Sequence, residues 1–285
     1  MMDMICYINN RFLSYADAKV HISDLGLQRG YGIFDYFLEM DGKVPFLDDY
    51  LDRFYRSGVL TGLDVPLGRE MLKEKIFWLL GQNGFRNSGI KLVLTGGYSE
   101  DLYTPPASPN FMILNLPVTH QPGEFSEGVK LILLDYVRYM PEVKTTFYFP
   151  SIALFPRMKE AGAIEVLYHH SGLISETTRA NIFLVKNGVL ATPGAGILKG
   201  ITRKHVLSVA NDLLPVEERE VRLEELWESD EVFITGTSKH LIPVVEIEGR
   251  QIGDGRPGEW TKVISGKFED FYMQVISETP AGFSG

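Results

Sequence analysis

Between Val129 and Ile247 the chain passes through six short apolar stretches, Val129–Leu134, Ile164–Tyr168, Ile182–Val185, Val189–Thr192, Val232–Thr235 and Val244–Ile247. Each is too short for a stable helix and rich in β-branched residues, which reads as a strand. Ser151–Ala161, Thr202–Leu214 and Trp260–Ile276 instead space their apolar residues as helices do, so this half must fold as a mixed α/β unit. Asn187-Gly188, set between two of the strands, predicts a two-residue hairpin because both positions tolerate positive φ.

The first half is organised differently. Strands are expected at Met4–Ile8, Ile33–Met40 and Lys43–Phe46, the last two joined by the turn signal Asp41-Gly42. Leu47, Leu51, Phe54 and Tyr55 mark one amphipathic helix, and Met71, Leu72, Ile76, Leu79 and Leu80 a second. Ile90–Thr95 and Phe111–Leu116 read as buried strands around a Gly/Pro-rich loop from Gly96 to Asn110, long enough to suggest binding. Apolar periodicity lapses after Pro117. The expected division is an N-terminal α/β domain over 1–118, a linker over 119–128 and a larger C-terminal domain over 129–285.

Charge removes several functions. With 28 Lys+Arg against 37 Asp+Glu, net −9, the chain lacks the positive field that nucleic acid or an anionic membrane requires. A single cysteine, Cys6, can build neither an intrachain disulfide nor a thiolate cage, which points to a reducing, cytoplasmic compartment. The start carries no basic region followed by a long apolar run, and no stretch is apolar enough to span a bilayer. His169 and His170 fall on opposite faces of one strand, so no metal site is expected.

Four places could carry chemistry. Pro193-Gly194-Ala195-Gly196-Ile197-Leu198-Lys199-Gly200-Ile201-Thr202 runs from a strand end into a helix, where unpaired N–H groups and the helix dipole can hold a phosphate, with Thr202 as N-cap and ligand. Its spacing matches neither a dinucleotide nor a nucleoside-triphosphate loop. Thr235-Gly236-Thr237-Ser238 could supply further donors, and Arg53 could complete an anion site or merely pair with Asp49 four residues earlier. Lys144 is the only charge in an aromatic-rich stretch, where desolvation lowers an ammonium pKa as a Schiff-base lysine needs. Glu176, between the turn His170-Ser171-Gly172 and Asn181-Ile182-Phe183, could hold a pyridine nitrogen protonated.

Together these segments resemble the class IV, fold-type-IV, pyridoxal-5′-phosphate (PLP) aminotransferases. Glu176, Thr178, Asn181-Ile182-Phe183, Leu190, Thr192 and Leu198-Lys199-Gly200-Ile201-Thr202-Arg203 match that family's signature. The resemblance implies a small N-terminal α/β domain and a larger C-terminal pseudo-barrel domain, PLP in the cleft between them, and a homodimer with shared sites. It further implies Lys144 as the Schiff-base lysine, 32 residues before Glu176, and a cofactor site of Arg53, Glu176, Asn181, Leu198, Ile201, Thr202, Gly236 and Thr237. The expected reaction moves an amino group between an amino acid and a 2-oxo acid. Arg29, Phe34 and Arg179 are the candidate substrate residues, with D-amino acids favoured and branched-chain L-amino acids the alternative. Phe34 and Phe149 stand where relatives carry Tyr. Elimination of pyruvate from 4-amino-4-deoxychorismate is the other enzymatic option, and a noncatalytic PLP-fold binding protein a remote one.

Overall fold

A computed structural model describes residues 4–118 and 125–282, so residues 119–124 of the expected linker lie outside the described residues. The chain divides into two units. The first comprises Met1–Thr119, Val143–Phe147 and Gln274–Gly285, and the second His120–Glu142 and Tyr148–Met273.

The first unit contains β1 (Ile5–Ile8), β2 (Arg11–Ser14), α1 (Leu25–Arg29), β3 (Gly32–Met40), α2 (Leu47–Thr61), α3 (Arg69–Asn83), β4 (Asn87–Thr95) and β5 (Asn110–Pro117). Its strands form an antiparallel sheet in the order β2-β1-β5-β4-β3. On β3, Ile33, Asp35, Phe37 and Glu39 are buried while Phe34, Tyr36 and Leu38 are half-buried, the two-residue alternation of a sheet with one covered face. Asp41 and Gly42 form the expected turn, with φ of 49° and 77°. Lys43–Phe46, however, is not a strand. Met40 and Lys43 exchange backbone hydrogen bonds, after which Phe46 turns left-handed, φ 58°, and starts α2. Val143–Phe147 belongs here because it lies along β3: Phe34 N donates to Lys144 O and Thr146 N to Gly32 O, both at 2.9 Å. Lys43 Nζ donates to Ile276 O at 2.9 Å and ties in the C-terminal segment.

The second unit contains β6 (Val129–Asp135), α4 (Phe149–Ile152), α5 (Phe155–Ala161), β7 (Ala163–His170), β8 (Leu173–Thr177), β9 (Asn181–Lys186), β10 (Val189–Pro193), α6 (Ile201–Asn211), β11 (Val216–Arg219), α7 (Glu225–Glu228), β12 (Glu231–Gly236), β13 (His240–Ile247) and β14 (Arg250–Gln251). Helix α8 (Glu259–Glu278) begins in this unit. Strand order is β11-β10-β9-β12-β13-β6-β7-β8, and β8 pairs again with β9, so β9, β12, β13, β6, β7 and β8 close as a barrel. Leu131, Leu167, Ile182, Leu184, Val232, Ile234, Ile242 and Val244 form one apolar core of these strands. The expected pseudo-barrel is thus present. Asn187 and Gly188, φ 51° and 73°, make the predicted hairpin, with Val189 facing Lys186.

The single helix expected over Ser151–Ala161 is two helices. Proline lacks an N–H and crowds the carbonyl four residues back, so Pro150 and Pro156 each sit in a first turn and Leu154 breaks the path between them.

Candidate active site

Glu176 is buried in β8, and both of its oxygens are held. Oε1 accepts from Arg138 Nη1 at 2.5 Å and Oε2 from the backbone N–H of Leu198 at 3.0 Å. Asn181, opposite Glu176 in the β8–β9 register, donates from Nδ2 to Leu198 O at 2.8 Å. Three residues expected in one cofactor site, Glu176, Asn181 and Leu198, therefore form a single network. Two donors to the charged form favour a carboxylate over a neutral acid. Sequence reasoning missed Arg138. A lone arginine in the irregular run Tyr136–Met140 was its only signal, because the pairing spans 38 positions. Nearby in charge terms is Tyr148, whose hydroxyl is pushed up to about 12, first by burial, with Arg138 opposing and Glu165 and Glu176 adding to it.

The glycine-rich loop runs from β10 into α6 as expected, but its N-cap is Gly200, and Thr202 lies within the first turn, buried. The reason is Asn181. A Cβ at position 200 would come within 2.3 Å of Asn181 Oδ1, so only glycine lets that side chain cross to Leu198. Among the described residues no side chain caps the N-terminus of α6, which leaves the N–H groups of its first turn, Ile201 and Thr202 included, for another acceptor. Gly236 ends β12 and Thr237 follows it. Thr235 Oγ1, just before, is buried with no hydrogen-bond partner among the described residues.

Arg179 lies in the turn between β8 and β9 and binds Glu165 of β7 through Nε and Nη2, at 2.8 and 2.7 Å, both to Oε1. Its side chain remains 55% exposed while Glu165 is 4% exposed. Burial raises the Glu165 carboxyl above its usual range, with Arg179 and Lys239 opposing. These residues line a small pocket with Gly236 and Ser238.

In the first unit, Lys144 presents Nζ to the face of Phe34, 4.8 Å from the ring centroid. Arg53, on α2, grips buried Asp35 with two nitrogens, Nε to Oδ2 at 2.9 Å and Nη2 to Oδ1 at 2.6 Å. Arg29 ends α1, exposed, and donates to the carbonyl of Gln28; it makes no ion pair with a described residue. Asp24 caps α1 and accepts from Thr95 and Asn110.

The family profile described as amino-transferase class IV matches residues 32–247. The chain is 36% identical over 279 residues to a Methanocaldococcus jannaschii protein named as a branched-chain-amino-acid aminotransferase, covering 94% of this chain and 96% of that one. It is 30% identical over 277 residues to the D-alanine aminotransferase of Bacillus licheniformis, covering 95% and 97%. Among solved structures, the branched-chain amino acid aminotransferase of Escherichia coli superposes with a TM-score of 0.87 at 26% identity, over 98% of this chain and 97% of that chain. The chain belongs to the class IV aminotransferase family. It is a PLP-dependent enzyme that moves an amino group between an amino acid and a 2-oxo acid. Both named relatives are transaminases, and neither lends the lyase expectation support.

The residues present fit that cofactor. Glu176, with both oxygens held by donors, suits a protonated ring nitrogen. The orphaned Thr235 hydroxyl, the uncapped start of α6 and the glycine at position 236 suit a phosphate.

Proposed function

We propose that this transaminase works on D-amino acids, with Lys144 as the lysine that bonds to the cofactor and Glu176 as the acid facing its ring nitrogen. The observation that supports the site assignment is the two-sided grip on Glu176, in which each carboxyl oxygen accepts from a donor fixed by the fold. When bound, the cofactor supplies an electron sink for charge developing at the substrate Cα. Lys144 Nζ accepts the Cα proton and returns it on the other side of the exchange. Asn181 and Leu198 keep Glu176 in place. Ile201, Thr202, Gly236 and Thr237 hold the phosphate, and Arg53 adds a cation to that site.

Arg29 and Arg179 bind substrate carboxylates, and Phe34 lines the pocket beside Lys144. The support is that Arg29 has no acid partner among the described residues and Arg179 keeps more than half its surface exposed. A guanidinium holding a carboxylate through two parallel bonds fixes which face of Cα meets the lysine, so chirality follows from its position. The D-alanine aminotransferase relative agrees with this preference, and the M. jannaschii relative keeps branched-chain L-amino acids as the second reading. The enzyme acts as a homodimer, Arg29 reaching in from the neighbouring copy; exposed Val137, Tyr139, Phe149, Ile152 and Phe155 give the second unit an apolar surface for such a partner. A cytoplasmic location fits the single buried cysteine, and no described helix is long and apolar enough to cross a membrane.

Borohydride reduction of the purified, yellow enzyme should attach the cofactor to Lys144, and Lys144→Ala should lose both the colour and the activity. Attachment at another lysine overturns the assignment. A panel of D- and L-amino acids against pyruvate and 2-oxoglutarate should show turnover of the D-series; turnover of branched-chain L-amino acids alone selects the second reading.

A further inference from the structure

We propose that His240 is a positioning residue for the cofactor phosphate, fixing the turn over 236–239 by anchoring it to α8. This role rests on the reading of Gly236 and Thr237 as phosphate ligands. Strands β12 and β13 close on the pair Gly236 and His240, and Lys239 N donates to Gly236 O at 3.3 Å within the three-residue loop between them. In a loop of this length the residue after the turn takes the left-handed conformation, and glycine is its ordinary occupant. Here His240 takes it, with φ 51°.

Three other hairpins of the same unit give the contrast. β7–β8, β9–β10 and β13–β14 turn through Ser171-Gly172, Asn187-Gly188 and Glu248-Gly249, whose glycines have φ of 78°, 73° and 72°. A Cβ added at any of these glycines would meet no described atom within 4 Å, so those turns touch nothing. His240 is the opposite case. Its side chain is only 16% exposed, Nδ1 is hydrogen-bonded to Glu269 Oε1 at 2.7 Å, and its ring centroid lies 5.4 Å from that of Phe268 and 4.3 Å from that of Tyr272. All three partners stand on α8. A residue with a Cβ is strained in the left-handed region and persists there only where its surroundings determine it. One hydrogen bond and two aromatic rings do so here. Helix α8 thus holds His240, and His240 holds the end of the turn. At the start of that turn lie Gly236 and Thr237, beside the buried Thr235 hydroxyl that has no hydrogen-bond partner among the described residues. Several donors bind one phosphate well only if they point at one centre before it arrives, and a turn free to rock would spread them.

The test titrates the full-length protein, stripped of cofactor, with PLP and with pyridoxal, which has the same aldehyde but no phosphate. Phosphorus NMR of each holoenzyme reads the bound phosphate directly. The Glu269 side chain is 45% exposed, so Glu269→Ala removes the anchor without opening the core. Glu269→Ala and His240→Gly should each weaken PLP binding about tenfold and shift the bound phosphorus signal, with pyridoxal affinity unmoved. His240→Gly relieves the backbone and so isolates the anchor. Wild-type PLP affinity in that variant would show that the turn needs only its left-handed corner, and would overturn the proposal. Equal losses for PLP and pyridoxal would make the contact a general prop of the fold and overturn it as well. Thr237→Ala tests the underlying reading. If it leaves the phosphorus signal at its wild-type position, the phosphate assignment falls; if it moves the signal while the His240 and Glu269 variants do not, only His240 loses its role.

Discussion

Two arginine–glutamate pairs in the second unit differ in completeness. In the first, Arg138 and the Leu198 amide take one oxygen each of Glu176, and Arg138 Nη1 also donates to Pro141 O at 3.0 Å. In the second, both nitrogens of Arg179 converge on one oxygen of Glu165, and Oε2 is buried with no hydrogen-bond partner among the described residues. The acids are almost equally covered, at 6% and 4% exposure, but the arginines are not, at 17% against 55%. Burying a charge is costly unless its hydrogen bonds are made. The completed pair is therefore a permanent fixture. The half-made pair leaves its cation in contact with solvent, which fits the exchangeable partner proposed for Arg179.

Removing Arg138 should have the largest effect, because it strands a buried carboxylate. Arg138→Met is expected to cost about 3–5 kcal/mol in chemical denaturation and to weaken cofactor retention. If stability is unaltered, Glu176 does not depend on its arginine and the contrast between the pairs collapses. Next comes Gly200→Ala, whose new Cβ would meet Asn181 Oδ1 at 2.3 Å and push it off Leu198. About 1–3 kcal/mol is expected from such overpacking, together with weaker cofactor binding in an absorbance titration. Unchanged binding would show that Asn181 has room to yield.

The smallest effect separates the pairs by pH. Burial raises the Glu165 carboxyl above its ordinary 4.5, so this group's contribution to stability is full below 4.5 and is lost as pH rises through the folded value. Glu165→Gln does not titrate. It should therefore gain on wild type from mildly acidic to mildly alkaline buffer, the difference vanishing on the acid side. Denaturation curves for both proteins across that range test this, and a difference that does not vary with pH would mean Arg179 fully compensates the charge.

Much of this was legible in the residues. Asp41-Gly42 and Asn187-Gly188 announced their turns because positive φ is a local property. Glu176, Asn181 and Leu198 were legible as a motif, and they meet in one network. Non-local partners were not legible. Arg138 reaches Glu176 only through the closed barrel, and Asp35 reaches Arg53 only once α2 lies on the buried face of β3. Thr202 looked like a cap by residue type, but the close passage of Asn181 gives that position to glycine. Helical spacing over Ser151–Ala161 outweighed Pro156 in the reading of the sequence, whereas in the fold the missing N–H decides. Strand β8, too short and too polar to announce itself, carries the acid on which the site depends.

That strand is also where the barrel is joined. Its register with β9 consists of one pair, Glu176 and Asn181, reinforced by Thr177 N donating to Ala180 O at 2.8 Å. The ring thus has its thinnest seam at the residues assigned to the cofactor, and local opening should start there before the longer ladders part. A ligand that engages Glu176 only while the seam is shut stabilises the closed ring with the logarithm of its concentration over its dissociation constant. Vitamin supply would then act on this protein as a fastener, setting the lifetime of its barrel as well as its turnover.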